Sequence, residues 1–217
     1  MSDSVAGDAL VPELDVIIPV YNEGENILTT LRALDDSLKT PARILICYDF
    51  EEDNTLTAVR NGWSGRLPIV FVLNQGKGPH GAVMTGMRFS DTPYILVFPA
   101  DDDYNAPMLD AMVDEAHRGA DIVCASRFMR GGSMVGCPWL KAFLVRSAAF
   151  TLCHLAGIPT HDATNGLRLF SRRVIDRIDV HSERGFTYSL ELLVKVHRLG
   201  WRVTEVPGKV DRARPRP

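Results

Sequence analysis

Three adjacent carboxylates, Asp101, Asp102 and Asp103, follow the apolar run Tyr94, Ile95, Leu96, Val97 and Phe98 after Pro99 and Ala100. An apolar run of that length reads as a buried strand, which puts the carboxylates at its carboxyl end, where open α/β sheets hold their ligands. Adjacent like charges repel one another. A hard divalent cation, which takes oxygen ligands and bridges to substrate phosphates, would relieve that repulsion. The same residues also read as a solvated turn, with Asp103 or Asn105 capping a helix that starts near Ala106 and Pro107.

The other apolar runs of the first half end in a similar way. Asn22 and Glu23 follow residues 14–20, the acidic segment 49–53 follows 43–48, and the glycine-rich stretch 76–81 follows 68–73. Four such ends along one sheet edge would converge on a cleft. The glycine-rich stretch has neither the Gly-x-Gly-x-x-Gly fingerprint nor a Walker sequence, so neither a dinucleotide site nor a P-loop is indicated. Lys77 and its neighbouring amides could still meet a phosphate, although they read first as a solvent-facing turn. No histidine pair has metal-ligand spacing and none is assigned a catalytic role; His161, beside Asp162, is the one to inspect.

The elements that must position these groups alternate between strand and helix. Ile27, Leu31, Leu34 and Leu38 form one helical stripe, and Met108, Met112, Val113 and Ala116 form another over 106–118. The alternation predicts an α/β fold with a mainly parallel central sheet and helices on both faces. Beyond a fifth strand at 120–125 it loosens into a loop at Gly131 and Gly132, a long apolar helix over 139–157, a strand at 167–170, a helix over 187–199 and a strand at 201–206. We expect one domain over 13–208, divided into a nucleotide-sugar-binding half (13–125) and an acceptor half (126–208). Flexible ends are expected at 1–12 and 209–217.

A formal net charge of −3 offers no basic field for nucleic acid. Cys47, Cys124, Cys137 and Cys153 lack zinc-type spacing and read as buried free thiols of a reducing compartment. The first residues carry no secretory signal, and Lys141, Arg146 and His154 interrupt the longest apolar stretch too often for a membrane span. A cytoplasmic chain is expected, resting at most on the cytoplasmic face of a membrane. Nothing in the composition speaks to oligomeric state.

The run Leu14 to Glu23, containing Pro19, Tyr21, Asn22 and Glu23, together with the acidic segment after the second strand and the aspartates after the fourth, resembles the family 2 glycosyltransferases of the GT-A fold. Ala125-Ser126-Arg127-Phe128, the stretch Asp162 to Phe170, the stretch Gly185 to Leu192 and Glu205-Val206-Pro207 resemble its polyprenyl-phosphate, dolichol-phosphate mannose synthase-like branch. The resemblance spans about residues 13–208. It implies that Pro19, Tyr21 and Glu23 border the nucleotide, and that Asp49 contacts its base or ribose. Asp101, Asp102 and Asp103 would hold Mg2+ or Mn2+ against the diphosphate; Ala100 stands where the first aspartate is usual, which leaves open which pair of the three ligates, with Asp102 the first choice. Arg127 would reach a phosphate, and Asp162 and Arg168 would line the acceptor side.

The implied activity is inverting transfer of a hexose, mannose or glucose, from a nucleotide-diphosphate sugar to a polyprenyl phosphate. A phosphate monoester is already anionic near neutral pH and needs cationic positioning more than a general base. Arg127, Arg130, Arg146 and Arg168, with Trp139, Leu140, Phe143 and Leu144 at the lipid boundary, would suit it. The apolar helix also reads as an ordinary core helix. Two other functions fit the same residues: transfer to a hydroxyl of a glycan or small molecule, and a nucleotide-binding subunit without turnover.

Overall fold

The computed structural model describes residues 11–211. Of the flexible ends expected at 1–12 and 209–217, residues 1–10 and 212–217 lie outside the described residues. Residues 209–211, expected to belong to a flexible tail, instead form a short strand.

Branched apolar runs make the strands. β1 (Leu14–Pro19), β2 (Ala42–Tyr48), β3 (Ile69–Leu73), β4 (Tyr94–Val97), β5 (Ile122–Ser126), β7 (Arg168–Ser171) and β8 (Val203–Pro207) form one sheet in the order β3-β2-β1-β4-β7-β5-β8. All neighbours are parallel except β7, which runs antiparallel to both β4 and β5. β6 (Ser133–Val135) and β9 (Lys209–Asp211) form a separate parallel ribbon. The strand order reverses between β1 and β4, so the carboxyl ends of those strands flank the switch point where such sheets bind ligands.

Alternating side chains build two cores. Leu14, Val16 and Ile18 of β1 face α1 (Ile27–Ser37), α2 (Asn54–Gly62) and α4 (Leu109–His117), whereas Ile17 faces the side covered by α3 (Gly78–Phe89), α6 (Arg172–Arg177) and α7 (Thr187–Arg198). Helices therefore cover both faces. α1 buries Ile27, Leu28, Leu31 and Leu34, each worth about 1.5–3 kcal/mol of apolar burial. The helix expected over 106–118 opens with a 3-10 turn, Ala106–Met108, before α4. Cys47 and Cys124 are buried as expected, but Cys137 and Cys153 are only half-buried; all four are free thiols.

The segment after β6 departs most from a core-helix reading. α5 (Trp139–Phe150) continues into a π-helical turn, Thr151–Leu155, and only Ala149 of α5 is buried. Trp139 is 80% exposed, Phe143 61% and Leu155 78%. Apolar character determines that a helix would gain by being covered; it does not determine that the same chain supplies the cover. Among the described residues no helix is long and apolar enough to cross a membrane.

Candidate active site

The turn after β1 is pinned by the start of α2. Three successive main-chain N–H groups leave the strand without ladder partners, and three side chains take them. Asn22 N donates to Asp53 Oδ2 at 3.0 Å, Glu23 N to Thr55 Oγ1 at 3.0 Å and Gly24 N to Asn54 Oδ1 at 2.8 Å. Asp53 also caps α2 by accepting from Thr55 N at 2.9 Å. Asn22 sits at φ 53°, a left-handed conformation that asparagine tolerates. The result is a fixed Glu23, with Tyr21 edge-on to Phe50 at 5.7 Å.

The turn after β4 splits its aspartates. Thr30 Oγ1 of α1 donates to Ala100 O at 2.7 Å and anchors the turn. Asp101 is exposed and lines the cavity, while Asp102 turns inward and is 8% exposed. Asp102 accepts from Asn105 N at 3.1 Å and from Asn105 Nδ2 at 2.7 Å. Burial pushes its carboxyl up to about 6 against those bonds, with Asp101 and Asp103 adding to the rise. Glu23 is raised too, first by burial and then by the charges of Asp101 and Asp53. The site thus gathers negative charge that resists ionisation. Among the described residues, no three His, Cys, Asp or Glu side chains converge as a ready metal cage.

The acidic segment after β2 and the glycine-rich stretch are joined through Asp49. Its carboxylate accepts from Asn74 Nδ2 at 2.6 Å and Gly78 N at 3.2 Å. Asn74 Oδ1 in turn accepts from Gly76 N at 2.8 Å. A Cβ on Gly81 would stand 2.8 Å from Asn74 Oδ1 and 2.9 Å from the Gly76 carbonyl carbon. The glycines here permit backbone approach. Lys77 is exposed and lies off the cavity.

The opposite wall comes from residues 162–168 and the start of α7. Asp162 is fully buried and accepts from Arg127 through Nε at 2.6 Å, NH2 at 2.8 Å and the main-chain N at 3.0 Å. Arg127 and Asp162 therefore fasten each other and the loop that follows; neither lines the cavity. Glu205 of β8 accepts from Thr160 Oγ1 and His161 N, both at 2.8 Å, and pairs with His161 Nδ1. His161 belongs to this tether and is exposed.

Arg168 does line the cavity, although it is fully buried. It donates to Ser189 Oγ at 2.8 Å, to Ser189 O and to Ala163 O at 2.5 Å, while its Nε has no partner. All of these acceptors are neutral, and among the described residues no carboxylate lies within ion-pair distance. It also presses against the first turn of α7, the positive end of a helix dipole. Tyr188 beside it has an unpartnered buried hydroxyl.

Between these walls is a cavity of about 1030 Å³. Of the residues singled out from sequence, Pro19, Tyr21, Glu23, Asp49, Asp101 and Arg168 line it; Lys77, Asp102, Asp103, Arg127 and Asp162 do not. Sequence reasoning read Asn105 only as a helix cap and passed over Asn74 and Ser189, whose roles come from contacts distant in the chain. Their polar types beside glycine and aspartate were the only signal available.

The model of Glycosyl transferase family 2 matches residues 15–179. The chain is 26% identical over 199 residues to polyprenol monophosphomannose synthase of Mycolicibacterium smegmatis, covering 88% of this chain and 75% of that protein. It is 28% identical over 202 residues to undecaprenyl-phosphate mannosyltransferase of Micrococcus luteus, covering 88% and 80%. Among solved structures it is similar to glucosyl-3-phosphoglycerate synthase from Mycobacterium tuberculosis, crystallised with Mn2+, UDP-glucose and phosphoglyceric acid. That likeness has a TM-score of 0.67 at 15% identity, covers 94% of this chain and 73% of that one, and shows the shared GT-A fold. With its sheet order, its switch-point cavity and a family match over most of its length, the chain belongs to glycosyl transferase family 2.

Proposed function

We propose that this protein transfers a hexose, mannose or glucose, from a nucleotide-diphosphate sugar to a polyprenyl phosphate, with inversion at the anomeric carbon. The observation that carries this reading is the charge order along the sheet edge. Asp49, Glu23 and Asp101 follow β2, β1 and β4, and the uncompensated Arg168 cation stands at β7 next to them. One end suits a cation-bound diphosphate and the other suits an anionic acceptor. The names of the mycobacterial and Micrococcus relatives agree with a polyprenyl-phosphate acceptor and a mannosyl group.

The reaction is a single displacement. A phosphate oxygen of the acceptor attacks the anomeric carbon as its bond to the diphosphate breaks, and the bonding pair leaves with the diphosphate. Arg168 and the start of α7 orient the anionic nucleophile by their positive potential. Asp49, tied by Asn74 and Gly78, and Tyr21, braced by Phe50, border the nucleotide. Asp101, close enough to add to the cost of ionising Glu23, forms with it an oxygen-only donor set that fits Mg2+ or Mn2+; Asp102, held by Asn105, supports the turn. When bound, the ion supplies positive charge opposite the developing diphosphate charge.

We assign the exposed α5 surface to an anionic lipid surface at the cytoplasmic face of a membrane. From Ile122 to His161 the chain has no Asp or Glu, yet it carries Arg127, Arg130, Lys141 and Arg146 beside Trp139, Leu140, Phe143 and Leu144. Apolar side chains with flanking cations and no acids are complementary to anionic lipid.

Transfer is tested with purified protein, Mg2+ or Mn2+, several nucleotide sugars, and three acceptors: polyprenyl phosphate, the same polyprenol without phosphate, and phosphoglycerate. Polyprenyl phosphate should be the substrate, and chelation should abolish turnover. Asp101→Asn should lower the rate at least about a hundredfold at fixed cation. Equal transfer to the alcohol refutes the anionic acceptor, and full activity under chelation refutes the ion.

A further inference from the structure

We propose that Asn105 is a positioning residue that locks the aspartate turn to the ribbon preceding α5, so that the donor end of the cavity and the exposed α5 surface are held in one register. The roles of that end and that surface rest on the function proposed above; the bridge itself does not.

Asn105 stands where an asparagine would ordinarily cap the following helical turn, yet its side chain makes no capping bond. The side chain instead reaches a residue far along the chain. Its Nδ2 donates to Lys209 O at 2.8 Å and to Asp102 Oδ2 at 2.7 Å, and its Oδ1 accepts from Lys209 N at 2.9 Å. With its main-chain N on Asp102 Oδ1, both oxygens of Asp102 are engaged by one residue that is itself 3% exposed. The amide can sit in one orientation only. Flipped, it would set Oδ1 against the Asp102 carboxylate and Nδ2 against the Lys209 N–H.

One side of this bridge leads to the cavity and the other to the exposed α5 surface. Asp102 adjoins Asp101, which lines the cavity. Lys209 begins β9, which pairs with β6 in the register Ser133 to Lys209, Met134 to Val210 and Val135 to Asp211, and α5 starts at Trp139, shortly after β6. Gly208 fixes the same ribbon to the main sheet, donating to Ser126 O at 2.9 Å and accepting from Ser133 N at 3.0 Å. The hydrogen bonds to Lys209 are main-chain bonds, so the identity of its side chain is irrelevant to the bridge.

The test compares Asn105→Ala, Asn105→Ser and Lys209→Ala with the unmodified chain. Serine keeps a capping hydroxyl and a folded turn but is too short to span to Lys209. Amide hydrogen exchange over 133–135 and 209–211 should speed up about tenfold or more in both Asn105 variants, and KM for polyprenyl phosphate should rise by a similar factor, with Lys209→Ala unchanged in both. Unchanged exchange in the ribbon of a folded Asn105→Ser overturns the bridge. Faster exchange with an unaltered KM overturns its positioning role, and a Lys209→Ala effect equal to that of Asn105→Ala overturns the main-chain geometry. If the unmodified chain transfers no sugar to any lipid phosphate, the proposed function fails, and the exchange measurements still decide the bridge.

Discussion

Replacing Arg168 by Met separates binding from folding in a way few substitutions at this site can. The guanidinium is fully buried, donates to Ser189 O, Ser189 Oγ and Ala163 O, and has no counter-ion among the described residues. Removing it forfeits three bonds from a charged donor, about 1.5–3 kcal/mol each, and removes a burial cost of several kcal/mol for an unpaired ion. These terms are of like size and opposite sign. Stability should therefore change by no more than about 2 kcal/mol, or roughly 4–8 °C in the unfolding midpoint for a chain of this length. An acceptor phosphate about 6 Å away would lose about 2–3 kcal/mol of attraction at an effective dielectric near 20, or about 30- to 150-fold in binding. The assay is steady-state transfer with acceptor varied at saturating donor, alongside thermal unfolding and the dissociation constant of the nucleoside diphosphate. Acceptor KM should rise by that factor while nucleotide affinity stays within about twofold. A folded Arg168→Met chain with an unchanged acceptor KM would refute the reasoning.

The other substitutions probe different links. Arg127→Ala leaves Asp162 buried without its ion-pair partner and should cost about 3–5 kcal/mol, read as a large drop in the denaturant midpoint; a shift under about 1 kcal/mol contradicts the pairing. Trp139→Glu with Phe143→Glu alters two exposed side chains, so the unfolding midpoint should hold while binding to anionic vesicles is lost; undiminished vesicle binding argues against the α5 surface. Burial pushes the Glu191 carboxyl up, but bonds from Lys195 and from the main-chain N–H groups of His181 and Ser182 together hold it at about 2 against an ordinary 4.5. A folded-state value below the unfolded one means this contribution is present above pH 4.5 and is lost as pH falls towards 2. Glu191→Gln should be less stable than the unmodified chain near neutral pH and should converge with it across that window; parallel acid-unfolding curves would disprove the linkage.

Much of the acidic side of the cavity was legible in sequence because it depends on strand ends. A buried strand leaves its next residues at the sheet edge, so Glu23, Asp49 and Asp101 could be placed without coordinates. The choice among Asp101, Asp102 and Asp103 was not legible. Which carboxylate faces the cavity depends on Thr30 anchoring Ala100 and on Asn105, itself tied to Lys209, capturing Asp102; the Thr30 and Lys209 contacts cross large intervals of chain. The same limit separates Arg127 from Arg168. Both are single arginines near small polar residues, yet one ends on a buried aspartate and the other among neutral oxygens.

By itself the sequence determined the alternation of strand and helix, the mainly parallel sheet, the acidic ends of its first strands and the acid-free apolar segment after β5, since periodicity and local charge are properties of neighbouring residues. Only the tertiary structure decided that β7 enters the sheet antiparallel between β4 and β5, bringing Arg168 beside the donor carboxylates, and that α5 remains uncovered. Strand partnership and burial are set by contacts between segments far apart in the chain, where local pattern carries no distance information.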